Sequence, residues 1–414
     1  TLHRLTPPTI IGGVKGLSDR ALATFAKRSH LANPVVGGGQ ASAAKAPSEV
    51  VAGGNVGFAI SYGDIPLYSV GTAAAVCDDT VVAYGHPDYF EPYQRTMHTA
   101  TAIGVEKSTF GSFKLANLGP AVGSVTHDGL DAVIGTVGEQ PVGTEVVTST
   151  TGARPRTSTT RVLEPEAVGY VAAVQTARDI VLAFDSDRGG EALSTFTIDY
   201  VADGQPGQIQ RTNRFSTSSY LSSAVPNEVA QAIYLLQEQE FKDLTITKVS
   251  VDTTTSPTYR ALKIGSLKVR TANQWVDVKP GKAIKVAKGK YFRVKAALDP
   301  AKGAKSSVTP TSVEYRIKAS SSRGNGFLRF SGSGYDDDYY DDEYYEDEED
   351  YYYEDEDEFS TFADVLAYIK SSPRNDDVAA TWDRSTALVS KTTQKLFRQD
   401  AVVLGYGSVR LSIR

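Results

Sequence analysis

The sequence predicts a mainly β protein of α+β class, and three observations carry that expectation. Val50 to Glu145 is punctuated by Gly, Asp or Pro every eight to twelve residues, which favours a barrel or sandwich over an α/β sheet. Residues 162–255 alternate in the manner of strands around one helix. Leu244 to Ile317 gives short strands with turn signals at Ser256-Pro257, Lys279-Pro280-Gly281 and Lys288-Gly289. With 414 residues two or three domains with substantial cores are expected. They are a β domain over 1–150, a linker at 151–161, a mixed α/β sheet-plus-helix domain over 162–243, and an immunoglobulin-like β-sandwich over 244–414 with an acidic insertion at 335–358.

At the start of the chain, Leu2-His3-Arg4 and Pro7-Pro8 read as an end lying on the surface. From Leu17 to Leu31 the pattern is helical, with Ser18 as N-cap and Ala21, Leu22, Phe25 and Ala26 on one apolar face. Gly37-Gly38-Gly39 reads as a flexible connection, because a phosphate loop needs a following Gly-Lys-Ser or Gly-Lys-Thr and a helix to open. Thr72 to Pro87 organises the first domain. Two apolar runs flank Asp78-Asp79 in a β-hairpin whose second strand delivers His86 to a loop start at Pro87. Gly85 allows close backbone approach there and Pro87 fixes the exit. An imidazole titrates near neutrality and can act as a general base. Asp128 is the first candidate to orient it and Asp64 the second. His98 and His127 lie nearby, but three histidines so widely spaced lack the short pairing of a zinc site.

Thr148 to Arg161 is rich in Ser, Thr, Arg and Pro, the composition of a linker. Arg154, Arg156 and Arg161 would suit a nucleic-acid arm only beside aromatic or helical partners; none lie close by, and no nucleic-acid partner is expected. Beyond it, Asp179–Phe184 and Thr195–Tyr200 alternate as strands. Asn227 caps a helix to Phe241 whose Val229, Ala232, Ile233 and Leu236 share a sheet-covering face. Trp275 and Phe292 are the expected core anchors of the sandwich. Thr361 with Asp364 makes a capping box, and Phe362, Val365, Leu366 and Ile369 form an apolar face that ends before Pro373. Ala401–Leu404 and Ser408–Ile413 read as closing strands, which makes the acidic strip an insertion within a domain.

A composition of 41% hydrophobic and 22% charged residues is that of an ordinary globular chain. No apolar run reaches eighteen residues, so no transmembrane segment is expected. Cys77 is the single cysteine, which excludes an intrachain disulfide. Its place in the run Ala73–Cys77 favours a buried small hydrophobe. One Met and one Cys are compatible with an oxidising exterior.

The net charge of -6 is unevenly divided. Tyr335 to Glu358 holds sixteen Asp and Glu, eight Tyr and no Lys or Arg, leaving +10 on the other 390 residues. Like charges repel and no aliphatic residue is present to make a core, so the strip is expected to form no fold of its own. Asp336, Asp337, Asp338, Asp341, Asp342 and Glu343 are candidates for weak, multivalent Ca²⁺ binding, without the glycine and ligand spacing of an EF-hand. The tyrosines add cation–π and stacking contacts to Lys and Arg. The strip is therefore expected to bind the basic body of its own or a neighbouring copy, giving a homo-oligomer or filament.

Gly53-Gly54-Asn55-Val56-Gly57-Phe58-Ala59-Ile60 and Tyr62-Gly63-Asp64 precede the hairpin. Ser112-Phe113-Lys114-Leu115-Ala116, Val122-Gly123 and His127-Asp128 follow it. In this order the motifs resemble the stage IV sporulation protein B family of serine peptidases, over residues 5–141. The resemblance implies a trypsin-like β-barrel with His86 as base. The family's nucleophile sits in a Gly-x-Ser-Gly-Ser-Pro segment, which in longer relatives lies N-terminal to the matched region; none occurs between Thr1 and Arg414. Ser331-Gly332-Ser333-Gly334 lacks the proline and reads as a flexible linker.

Acyl transfer needs hydroxyl, imidazole and oxyanion donors within hydrogen-bond reach. The expectation is therefore a secreted or cell-surface protein whose peptidase-like domain is non-catalytic in this chain and which acts as a structural or self-assembling component. The alternative is the C-terminal fragment of an active, self-processed serine endopeptidase whose nucleophile lies on a separate N-terminal fragment of the same precursor. Thr1 in place of an initiator methionine suits a processed chain.

Overall fold

The computed structural model describes residues 9–27, 34–40, 46–88, 94–107, 112–271, 274–279, 281–319, 324–334, 359–385 and 390–414. Its first elements are β1 (Ile10–Ile11), α1 (Asp19–Ala26), β2 (Val35–Val36), β3 (Gly39–Gln40), β4 (Asn55–Gly63), β5 (Leu67–Cys77), β6 (Thr80–Ala83), β7 (Thr96–Glu106), β8 (Phe113–Asp128) and β9 (Val133–Val137). There follow β10 (Thr144–Thr151), β11 (Arg156–Val162), α2 (Ala167–Phe184), β12 (Gly190–Ala202), β13 (Gln205–Thr217), α3 (Leu221–Glu238) and β14 (Leu244–Ser256). The chain ends with β15 (Ala261–Thr271), β16 (Gln274–Asp277), β17 (Ile284–Val286), β18 (Tyr291–Pro300), β19 (Thr311–Lys318), β20 (Gly324–Gly332), α4 (Phe362–Ser371), β21 (Asp377–Ser385), β22 (Ser390–Arg398), β23 (Val402–Leu404) and β24 (Tyr406–Ile413). The protein is mainly β, as expected. Two compact units divide it: Thr1–Asp187 with Phe196–Gln210 and Val225–Thr253, and Arg188–Thr195 with Arg211–Ala224 and Thr254–Arg414.

In the first unit β4, β7, β8, β9, β6 and β5 pair in that order, and β5 returns to β4. This closes a six-stranded antiparallel barrel, an arrangement that leaves no sheet edge within the ring. Val56, Phe58, Ala73, Val81, Ala83, Met97 and Val133 fill it. The expected hairpin is β5–β6, turned at Asp78 with φ of 49°, a left-handed geometry that aspartate tolerates. Cys77, expected inside, is exposed, because it is the last residue of β5 before that turn. The Ser18-capped helix forms as α1, the Ser18 side chain accepting from Ala21 N at 3.2 Å.

Two expectations for the middle of the chain fail together. Residues 151–161, read as a linker, form the turn and second strand of the β10–β11 hairpin. Residues 179–184, read as a strand, end the helix α2. The reason is shared. α2 packs on β10 and β11 and buries sixteen of its eighteen residues, so it carries no solvent stripe to betray a helical period. Its polar residues are met by the hairpin's hydroxyls: Ser158 Oγ donates to Asp179 at 3.0 Å, and Thr148 and Thr160 donate to Asp179 and Gln175. By length and composition α2 is apolar enough to cross a bilayer, yet 89% of it is buried inside the fold. The arginines of this stretch are all paired, Arg154 with Asp185, Arg156 with Asp179 and Arg161 with Glu145. α3 starts at Leu221 and runs through Pro226, ahead of the Asn227 cap read from the sequence.

The second unit holds two five-stranded sheets, β16-β15-β18-β19 with β23 beside β15, and β17-β24-β20-β21-β22. Val269, Phe292, Val294 and Leu298 of one pack with Phe330, Val378, Trp382 and Val409 of the other, so the unit is a β-sandwich. Phe292 is a core anchor as expected. Its aromatic partner is Trp382, 5.8 Å away edge to face, whereas Trp275 is only half-buried and lies under the Lys295 ammonium. α4 has the expected cap, Asp364 N donating to Thr361 Oγ1 at 3.2 Å. β23 and β24 fall where closing strands were read. The acidic residues 335–358, with the six candidate Ca²⁺ ligands, lie between β20 and α4 in sequence and outside the described residues.

Candidate functional site

The site is the end of the barrel where β6 and β8 finish. Tyr84, just after β6, takes φ of 59°, a conformation costly for an aromatic residue and held only by its surroundings. Its ring enters the barrel, 5.3 Å from Phe58 edge to face. Gly71 makes the room, since a Cβ there would lie 1.6 Å from the ring. Tyr84 Oη and Ser69 Oγ are 3.0 Å apart. His86 stacks on the outer side of Tyr84, with centroids 5.4 Å apart and planes 9° from parallel.

His86 Nδ1 lies 2.8 Å from the Pro87 carbonyl. A carbonyl only accepts, so Nδ1 carries the proton and Nε2 is the acceptor in the neutral ring. Asp88 follows, 1% exposed. Its N–H donates to Asp128 Oδ1 at 2.8 Å. Arg95, fully buried, donates Nη1 to Asp88 Oδ2 at 3.2 Å and to Asp128 Oδ2 at 3.0 Å. Desolvation outweighs that guanidinium and pushes the Asp88 carboxyl from 3.8 up to about 6, with Asp128 adding to the rise and Arg95, Ser69 and His86 opposing it. Burying a charge without full compensation produces such a shift.

The structure thus brings His86 and Asp128 to one end of the barrel, joined through Asp88, with Asp128 oriented toward Arg95 and the Asp88 amide. Asp64 is elsewhere. It accepts from Thr159 N at 2.9 Å and from Arg178 Nη2 at 3.4 Å, holding the β4–β5 turn against β11. His98 is buried between Thr96 Oγ1 and the Gly119 carbonyl, 2.8 and 3.0 Å away, and burial lowers it from 6.5 to about 4. His127 is exposed. Among the described residues no group of three or more His, Cys, Asp and Glu could hold a metal ion.

Sequence reading missed Ser69, Tyr84, Asp88 and Arg95. Faint signals existed. Ser69 shares the inward phase of Gly71 and Ala73 on β5, and Arg95 stands two residues ahead of inward-facing Met97. Chemically, the site joins a buried carboxyl raised to about 6 to a half-exposed imidazole with Nε2 as acceptor. The nearby serine, Ser69, is 0% exposed and so closed to a substrate. No family model matches this chain, and no curated protein or solved structure matches it either.

Proposed function

We propose that the chain is a secreted or cell-surface structural component. In this reading its barrel is a trypsin-like, stage IV sporulation protein B type domain that does no acyl transfer by itself. The sandwich is immunoglobulin-like, and its acidic insertion assembles copies of the chain. One observation carries the non-catalytic half: His86 is bonded through Nδ1 to its own backbone neighbour, while Asp128 serves Arg95 and Asp64 serves the β4–β5 turn. A hydrolytic triad instead needs a carboxylate on Nδ1 and an accessible hydroxyl on Nε2.

A fluorophosphonate probe tests this half: no labelling of the purified chain is expected. Labelling that disappears in His86→Ala would overturn it. The assembly half is tested by sedimentation at low and high salt, since exposed ion pairs are screened. High salt and removal of residues 335–358 are each expected to disperse oligomers.

The rival is a self-processed endopeptidase with its serine on a separate N-terminal fragment. The tautomer of His86 favours it, because Nε2 is the nitrogen a serine would address. Mass spectrometry of native material decides: a stoichiometric second fragment carrying Gly-x-Ser-Gly-Ser-Pro supports the rival.

A further inference from the structure

β15, β18 and β19 send Val269, Phe292, Val294, Val313 and Ile317 into the sandwich core, so the residues between them stand on the outer face. Those residues are largely basic. Lys268 and Arg270 come from β15, Arg293 and Lys295 from β18, Arg316 and Lys318 from β19. Three acids share the face, Glu314 at 2.9 Å from Arg293, Asp277 at 3.5 Å from Lys268, and Asp299 opposite Lys263 across the β15–β18 ladder. Cations also oppose cations across the ladder, Lys268 facing Lys295 and Arg293 facing Arg316. Such pairs destabilise a sheet unless an anion covers them.

Rings are interleaved with these charges. Lys295 Nζ sits 4.6 Å from the Trp275 centroid, and the Arg316 guanidinium 4.1 Å from that of Tyr291. A face built this way suits a ligand that offers carboxylates and aromatic rings together. Residues 335–358 are such a ligand, with sixteen acids and eight tyrosines.

That segment is rooted in the opposite sheet. β20 leads into it, and α4 and β21 follow it. Donor and acceptor therefore belong to different sheets of one sandwich. A contact of this kind between copies is head to tail, and it generates a ring or a filament where a two-fold contact would give a closed dimer. We infer that the outer face of β16-β15-β18-β19 is the docking site for residues 335–358 of a second copy of this chain. The inference rests on the self-assembly reading above and adds its acceptor surface and geometry.

The test uses the full chain, a variant lacking 335–358, and a variant with Lys268→Glu, Lys295→Glu and Arg316→Glu, each checked for cooperative melting. Wild type is expected to sediment as higher assemblies at low salt and each variant as a monomer. The two variants mixed should stop at a heterodimer, because one keeps only the face and the other only the strip. A fluorescent peptide of residues 335–358 should bind the strip-deleted chain and should bind the face variant about tenfold more weakly, as expected for three lost exposed ion pairs. Should that variant fail to fold, dispersal of wild-type assemblies by excess peptide replaces it, and assemblies unmoved by the peptide sink the assignment.

If wild type assembles, strip deletion disperses it and the face variant still assembles, the self-assembly reading stands and this surface is wrong. If wild type is monomeric and the peptide binds only the strip-deleted chain, the strip lies on its own copy's face, and the second-copy assignment fails. Capture of single-stranded nucleic acid by the face, without peptide binding, overturns it as well.

Discussion

Asp88 gives the structure's most direct thermodynamic prediction. Its carboxyl is buried, and its pKa stands at about 6 against an ordinary 3.8. A carboxyl whose folded pKa is raised binds more protons folded than unfolded across that interval. Its contribution to stability is therefore complete below about pH 3.8 and is lost as pH rises through about 6. A change of that size is worth about 3 kcal/mol between the limits. Asp88→Asn removes the titration and keeps the shape. The prediction is that the Asp88→Asn variant gains on wild type by about 2.4 kcal/mol between pH 4 and pH 7.5.

Other carboxyls titrate in the same range, so the difference between the two proteins is the informative quantity. The assay is urea unfolding followed by hydrogen exchange of the barrel amides, because both tryptophans, Trp275 and Trp382, belong to the sandwich unit. A difference curve that is flat, or that falls as pH rises, would refute the reasoning. It would mean that Arg95 outweighs desolvation and holds Asp88 ionised.

His98 should behave in the opposite sense. Its pKa is lowered from 6.5 to about 4 by burial, so its contribution is present above about pH 6.5 and is lost as pH falls toward 4, by about 3 kcal/mol at most; NMR of the ring in wild type should show no titration between pH 5 and 8. Gly71→Ala should destabilise the barrel by about 1–3 kcal/mol by overpacking Tyr84, measured by urea midpoint. Adding Tyr84→Ala should return part of the loss, since the two positions share one space. Asp179→Ala should cost about 3 kcal/mol, because it removes the carboxylate that Arg178 Nη2 meets at 2.8 Å and Arg156 at 2.9 Å, leaving Arg178 with Asp64 and Ser158 among its remaining partners.

Local chemistry was legible along the chain wherever a few adjacent residues decide it. Ser18 before α1, Thr361 with Asp364 before α4, and Asp78-Asp79 between β5 and β6 each act within one turn of backbone, and each was readable. The candidate site was half readable. His86 stands where a hairpin ends and Asp128 where β8 ends, so both lie in the part of the sequence that strand patterning locates. Their partners Asp88, Arg95 and Ser69 come from a loop, a strand approach and a strand interior, and only barrel closure brings them together.

From its sequence alone the protein is mainly β, with capped helices, a hairpin carrying His86, a second β unit and one intensely acidic strip, since periodicity and turn chemistry act over short range. Tertiary structure decided the rest. Threonine-rich β10–β11 is a hairpin and not a linker because its hydroxyls satisfy Gln175 and Asp179 on a buried helix. Residues 179–184 are helical because α2 is enclosed on nearly every side, which erases the amphipathic period. Asp128 faces Arg95 and not His86 because barrel closure sets the buried guanidinium and the Asp88 N–H beside its two oxygens, while His86 Nδ1 meets the Pro87 carbonyl.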